Sequence, residues 1–600
     1  MNDLELLRAY EPILRYTQGE LFFPTSVEPY IAECDLWVGR SERERRLLVP
    51  YGELTTDRLA EFTTPPDETL SLRLVQRPLG GPDLARWSRR PNRPQFHASA
   101  RLARVGLFAR LVDAGFTTSL LVRGSVPGGT AAGASIKYEQ ARERDPRHVY
   151  HGRVVRGGGW IVLHYMYFYF MNDWRSTFSG ANDHEADLEQ AFVYLDDAPD
   201  GPQPIWFGCA AHDYHGDDLR RRWDDPALVK VGDHPVIHAG AGSHAAYFEQ
   251  GEYVTTVPLP ALRGLTGLLE AARAFWRDTL RQPDPGDLAA SLESALSAPF
   301  IDYARGDGMS IGPGQSGEWS PVLIDDGTPW VDGYRGLFGL DTYDRLGGER
   351  APAGPKYTRS GTVRQSWHDP LGFVGLDKVA PPSRAPQVLQ DQVARLRDEL
   401  HDVEAKIGER LAGLPGLELE VRSLAANGAL ARIHEARATE LAAGEKELAG
   451  LRSRQADLSD TIEAAQREAA ALAAGEAGDP RAHLRHSMHP VSHEQTRYGR
   501  FVEFWSAISI SVLLLLIIVP LYTGLLPWWA AFALGIGGYV LLESAFRRRL
   551  TTLLLRLTLL LAILGAIVLL YEYAGLVVVA AIVGLAALIL ADNVRELRRV

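Results

Sequence analysis

The pattern of apolar and polar positions changes character twice along this chain. Up to about residue 380, short apolar runs are punctuated by Gly, Pro and Asp; from 385 to 475 the apolar positions follow a heptad; from about 504 the chain is mostly apolar. In the first region His151–Val155 and Trp160–Phe170 read as paired strands turning at Gly157–Gly159. Trp160–Phe170 is apolar on both faces, as expected of a central strand covered twice. Further short strands are predicted at Ala191–Leu195, Pro204–Ala210 and Pro235–Ala239. Their spacing predicts a β-sandwich-centred domain, mainly β with added helices, over residues 1–380. Helical periodicity marks Ala98–Ala114 and Pro260–Leu280, the second with Leu262, Leu265, Leu269, Ala272 and Trp276 near one face.

From Leu389 the apolar steps alternate four and three through Val393, Leu396, Leu400, Val403 and Ile407, then resume at Leu448, Leu451, Leu458 and Ile462. The break between them holds Pro415 and several glycines. This predicts an α-helical coiled-coil hairpin over 385–475, folding back on itself or pairing between chains as a homo-oligomer. A polar linker follows at 476–500, with His483, His486, His489 and His493. Four apolar stretches, near 504–525, 528–546, 557–571 and 574–591, predict a four-helix transmembrane anchor over 501–600. Arg547, Arg548, Arg549, Arg556, Arg595, Arg598 and Arg599 fall on one side of it, which predicts a multi-pass protein of the bilayer with both termini cytoplasmic. The first residues show no basic segment followed by an apolar one, in keeping with a domain not exported by a cleaved signal.

Composition narrows the function classes. A net charge of −12 offers no general pull on nucleic acid, which is set aside as a partner. Cys34 and Cys209 alone make neither a disulfide scaffold nor a cysteine-rich zinc site. Only 6 of the 63 basic residues are lysine, a bias of high-GC bacterial genes, so the expected bilayer is a bacterial plasma membrane. The glycine run Gly124–Gly133 lacks the Gly-Lys-Ser/Thr ending of a phosphate loop and is read as a surface loop; no nucleotide cofactor is expected.

Candidate chemistry is densest just after the aromatic strand. Asp173, His184, Asp187 and Glu189 carry the side chains of a divalent-cation site, and in an extended segment Asp187 and Glu189 share a face. Oxygen-dominated ligation suits Mg²⁺ or Ca²⁺ best and leaves Zn²⁺ and Mn²⁺ open. The same run also reads as a solvated acidic loop. Glu185, His212, His215, His238, Ser243 and His244 are candidate cleft residues. Ser243 lacks the flanking glycines of a nucleophile elbow, with Ala241 and Ala245 in their places.

The succession Arg153-Val-Val, Tyr165 to Trp174, His184-Glu-Ala-Asp-Leu-Glu189 and His234-Pro-Val to Gly242-Ser-His-Ala-Ala-Tyr247 resembles the vacuolar protein sorting-associated protein 62 family. Phe22 to Tyr30, Gly354-Pro-Lys356 and Trp367-His-Asp-Pro370 resemble its outlying motifs, so the resemblance covers about residues 20–375. More distantly the same core is similar to the necrosis- and ethylene-inducing peptide-like proteins, whose β-sandwich holds a divalent cation. That resemblance implies Asp173, His184, Asp187 and Glu189 as cation ligands. Ala186, Leu188 and Glu185 depart from its heptapeptide, and its toxin activity is not implied.

Three functions remain in view. The first is a membrane-anchored binding module holding a divalent cation and recognising a lipid headgroup or glycan-like ligand. The second is a metal-dependent hydrolase with His212, His215 or His244 as acid or base. The third is a structural tether or adaptor paired through its heptads.

Overall fold

The computed structural model describes the whole chain except residues 41–43, 65–66, 92–93, 95–128, 175–182, 212–213, 259–296, 340–350, 477, 486–489, 491–496, 525–526, 547–553, 555–556, 559–560, 563–573 and 598–600. The described chain divides into two units: one comprises 1–99 and 107–492, the other 100–106 and 493–600.

In the first unit, a six-stranded sheet runs in the order β16 (Val322–Leu323), β5 (Tyr150–Gly157), β6 (Trp160–Asn172), β7 (His184–Asp196), β8 (Gln203–Cys209), β9 (Arg220–Arg222). From β5 to β9 it is an antiparallel meander, and β16 adds to β5 in parallel. The β5–β6 turn holds two residues, Gly158 and Gly159, at φ of 62° and 88°, the left-handed geometry that lets a tight hairpin match strand twist.

Every residue of β6 is buried. Alternation sends Tyr165, Tyr167 and Tyr169 to one face and Met166, Phe168 and Phe170 to the other, where they enter two separate cores. A five-stranded sheet shares the tyrosine-side core through Leu14, Ile237, Ala239 and Ile311. Its order is β10 (Lys230–Val231), β11 (His234–Ala239), β1 (Ile13–Arg15), β15 (Ser310–Ile311), with β12 (Ala246–Tyr247) also on β11. The phenylalanine-side core takes Leu36 and Leu72 from a three-stranded sheet, β3 (Arg46–Val49), β2 (Asp35–Gly39), β4 (Thr69–Arg73), and Ala134 and Tyr138 from a helix at Gly129–Arg144. A ribbon of β13 (Gly251–Pro258) with β14 (Ser297–Ala304) completes the strands.

The expected β-sandwich is therefore corrected to a mixed α/β arrangement of several open sheets and helices. Double coverage of β6 was legible as apolarity, but apolarity does not say whether sheet or helix lies above. The glycine run read as a loop is helical from Gly129 onward, where Gly133 fits against Val75. Residues 124–128, Ala98–Ala114 and Pro260–Leu280 lie outside the described residues.

Two long helices, Ala385–Ala425 and Ala431–Ala473, fold back on each other about a turn at Asn427–Leu430. Val393, Val403, Leu448, Leu458 and Ile462 form the buried seam. Across it Arg454 pairs with Glu399, Arg410 with Glu447 and Arg437 with Glu420, an antiparallel register. The break is thus the turn at Asn427, while the first helix runs through Pro415.

The chain then returns to the sheet. Arg222 donates to the Gly478 carbonyl, Arg481 to the buried Asp225 carboxylate at 2.9 Å, and His483 meets the Arg220 carbonyl at 3.0 Å beside Trp206. This part of the expected solvated linker is docked; His486, His489 and His493 lie outside the described residues.

The second unit contains helices at Arg497–Tyr522, Trp528–Phe546 and Ala574–Leu597. Trp505 stacks on Tyr539, and Ile517 approaches Gly535. Among the described residues no helix is long and apolar enough to cross a membrane. This overturns the four-span anchor and the multi-pass plasma-membrane location with both termini cytoplasmic. The expectation counted apolar residues along the sequence, whereas a span needs about 20 of them in one unbroken helix. The first helix here contains Pro520 and opens on Arg497, Arg500 and Glu503. Most of 557–571 and the arginines at 547–549 and 556 lie outside the described residues.

Candidate functional site

Two of the residues singled out around the aromatic strand, Asp187 and His244, meet under its tyrosine face. Asp187 lies opposite Tyr169 in the β6–β7 register and Glu189 opposite Tyr167, so the two carboxylates do share a face. Above Asp187 sits a tight loop at 240–246, built by three close approaches. Gly240 has room only for hydrogen, since a Cβ there would stand 2.2 Å from Ser243 Oγ. Gly242, at φ 73°, donates its amide to Glu20 Oε2 at 2.8 Å and accepts from the Asp173 amide at 3.0 Å. His244 takes φ 57°, an unusual value outside glycine.

That conformation drives the His244 imidazole into the protein. Nδ1 lies 2.9 Å from Asp187 Oδ2, Nε2 lies 3.7 Å from Glu20 Oε1, and the ring stacks on Tyr169 with centroids 3.8 Å apart. Tyr169 in turn shares a 2.9 Å hydrogen bond with the Tyr16 hydroxyl. Burial alone would strip the proton from His244, but the hydrogen bond to Asp187 and the charge of Glu20 outweigh it and push the pKa up to about 10. The group is an imidazolium clamped between two buried acids.

Neighbouring side chains are engaged in the same way. Asp187 also accepts from the Leu188 amide at 2.9 Å, with Asn172 Nδ2 at 3.5 Å. Glu185 accepts from the Leu74 and Val75 amides at 3.0 and 2.7 Å, so it ties β7 to the segment after β4. His184 Nδ1 stands 2.7 Å from the carbonyl of Ala186, itself at φ 57°. Ser243 donates to Asp302 Oδ2 at 2.7 Å, and Tyr247 to the same oxygen at 2.9 Å, so the serine faces a carboxylate rather than an imidazole.

Among the described residues no group of three or more His, Cys, Asp or Glu side chains is placed to hold a metal ion, which corrects the metal-binding expectation. The reason is local: the Asp187 carboxylate is already turned to His244, and His184 is turned back on its own strand.

Comparison with family models, with curated proteins and with solved structures finds no match.

The remaining candidates scatter. His215 is exposed at the start of a short 3-10 turn, and His212 lies outside the described residues. His238 is buried in β11 just before the loop, where burial and Arg15 bring its pKa down to about 4. Sequence reasoning missed Glu20, Asp302, Tyr16 and Tyr169 as partners. Glu20 and Asp302 did carry a signal, each being a lone carboxylate beside an apolar run, Leu21-Phe-Phe23 and Pro299-Phe-Ile301.

Proposed function

We propose that this chain is a binding module rather than a hydrolase, with a lipid headgroup or a glycan-like molecule as ligand. The observation that carries this reading is the burial of His244 between Asp187 and Glu20. A general acid or base must reach substrate and exchange a proton near the working pH. His244 is wholly buried, occupied on both sides by acids, and held charged. The motif residues that suggested chemistry serve instead to lock a loop onto a rigid sheet, a frame suited to recognition. The kinship with the vacuolar protein sorting-associated protein 62 family belongs to this proposal, on the motifs quoted above. Screening the full chain on headgroup and glycan arrays, beside turnover of phosphoester and glycosidic substrates, tests it. Saturable binding without turnover supports it; turnover that vanishes in Glu189→Ala overturns it.

A second reading, an adaptor working through its helical hairpin, is favoured by Leu419 and Ile433, which stand exposed near the turn of that hairpin. Deleting residues 385–475 and measuring oligomeric mass tests it: an unchanged mass counts against pairing through the hairpin.

A further inference from the structure

A cavity of about 560 Å³ opens on the five-stranded sheet. That volume lies in the range of small-molecule sites. Arg15 of β1 and His238 of β11 are direct partners in the parallel register, so both side chains leave the same face of the sheet into it. Gly306, at φ 63°, leaves room for the pair: a Cβ there would stand 2.7 Å from His238 Cδ2 and 3.2 Å from Arg15 Cβ.

The charges are distributed unevenly. No described carboxylate pairs with Arg15. Arg481, on the segment returning from the hairpin, is matched by Asp225 at 2.9 Å. His238 is only 2 % exposed, and neither ring nitrogen makes a hydrogen bond of good geometry, although backbone groups of Tyr247 and Phe248 lie near. A buried imidazole without a made bond is costly unless something polar joins it. Glu249 and Gln250 line another part of the cavity, and Ala227 and Val229 give it an apolar wall.

We infer that this cavity is the ligand site of the binding module and takes a small polyhydroxyl molecule bearing one oxyanion, a sugar phosphate or a sugar acid. The oxyanion meets the Arg15 guanidinium, whose planar fork matches carboxylate and phosphate oxygens, with His238 as a further donor. Glu249 repels a second anion and accepts from hydroxyls, Gln250 both donates to and accepts from hydroxyls, and the apolar wall covers the ring. This rests on the binding-module reading and adds the place and the chemical class.

Isothermal titration of the full chain with glucose 6-phosphate, glucuronate, glucose and inorganic phosphate tests it. The expected result is binding of glucose 6-phosphate or glucuronate at least about tenfold tighter than glucose or phosphate, weakened by about tenfold in Arg15→Gln. Val229→Trp, which fills the cavity from its half-exposed wall and removes no charge, keeps the test decisive where Arg15→Gln melts early; it is expected to weaken binding by at least as much. Binding unchanged in both folded variants overturns the location and leaves the binding module standing. No binding of any of the four probes to folded wild-type chain overturns the ligand class, while saturable binding on the arrays still supports the module. A short-chain sugar-headgroup phospholipid titrated beside its free headgroup separates the two sources of this chemistry.

Discussion

His244 lies flat on Tyr169, ring planes 5° apart and centroids 3.8 Å apart, while its Nδ1 reaches Asp187 at 2.9 Å. One residue from the loop thereby ties the central strand β6 to its neighbour β7. Stacking places the cationic ring over the electron-rich face of a phenol.

Cutting this tie leaves a buried charge without its counter-ion. His244→Ala is expected to destabilise the first unit by about 3–5 kcal/mol, and Asp187→Ala comparably. The double variant should cost much less than the sum, because neither charge is then stranded. Urea denaturation of the four proteins measures the coupling; additive losses would mean the two groups act independently.

Stability should depend on pH from both sides. The folded pKa of His244 is raised to about 10 from 6.5, so its contribution is complete below pH 6.5 and is lost as pH rises towards 10. His148, His151 and His238 are pushed down to about 4 and His164 to about 3, all chiefly by burial. Their contributions are present above pH 6.5 and are lost as pH falls through those values. Thermal melts should therefore peak near pH 6.5–7, with His244→Gln flattening only the alkaline limb.

The loop depends on the absence of one side chain. At Gly242 a Cβ would stand 2.1 Å from the Asp173 carbonyl oxygen, at a φ of 73°. Gly242→Ala should cost about 2 kcal/mol or more, whereas Gly314→Ala, also at positive φ but in open space, should cost about 1 kcal/mol. Comparing the midpoints of the two variants separates steric from conformational cost.

The helical hairpin should fail locally. Leu458 is nearly fully buried in its seam, and Leu458→Asp is expected to abolish amide protection along Ala385–Ala425 and Ala431–Ala473. Hydrogen exchange should show β6 and β7 still protected. Loss of protection there as well would mean that the hairpin supports the sheet.

Much of this was legible in local pattern. The double-faced run at 160–170, the glycine hairpin before it, the strands at 191–195 and 204–210, and the heptad seam all depend on short-range periodicity, and each appears where the pattern put it. What covers β6 was not legible, because Leu36, Leu72 and Tyr138 reach Phe168 and Phe170 across more than 30 residues of chain. The site was half legible. Asp187 and Glu189 share a face as spacing required, yet spacing could not show that a loop some 57 residues on would bring His244 onto Asp187 and claim its carboxylate. The membrane reading is overturned because, among the described residues, no helix is long and apolar enough to cross a membrane; an apolar count along a sequence does not establish such a helix.

The central claim is that His244 is a fixed structural cation and not a titrating catalytic base. Nitrogen-15 NMR of the histidine rings, assigned through His244→Gln, tests it most directly. At pH 8 the account predicts that both ring nitrogens of His244 are protonated, with no titration until near pH 10. A neutral ring titrating near 6.5 would contradict it.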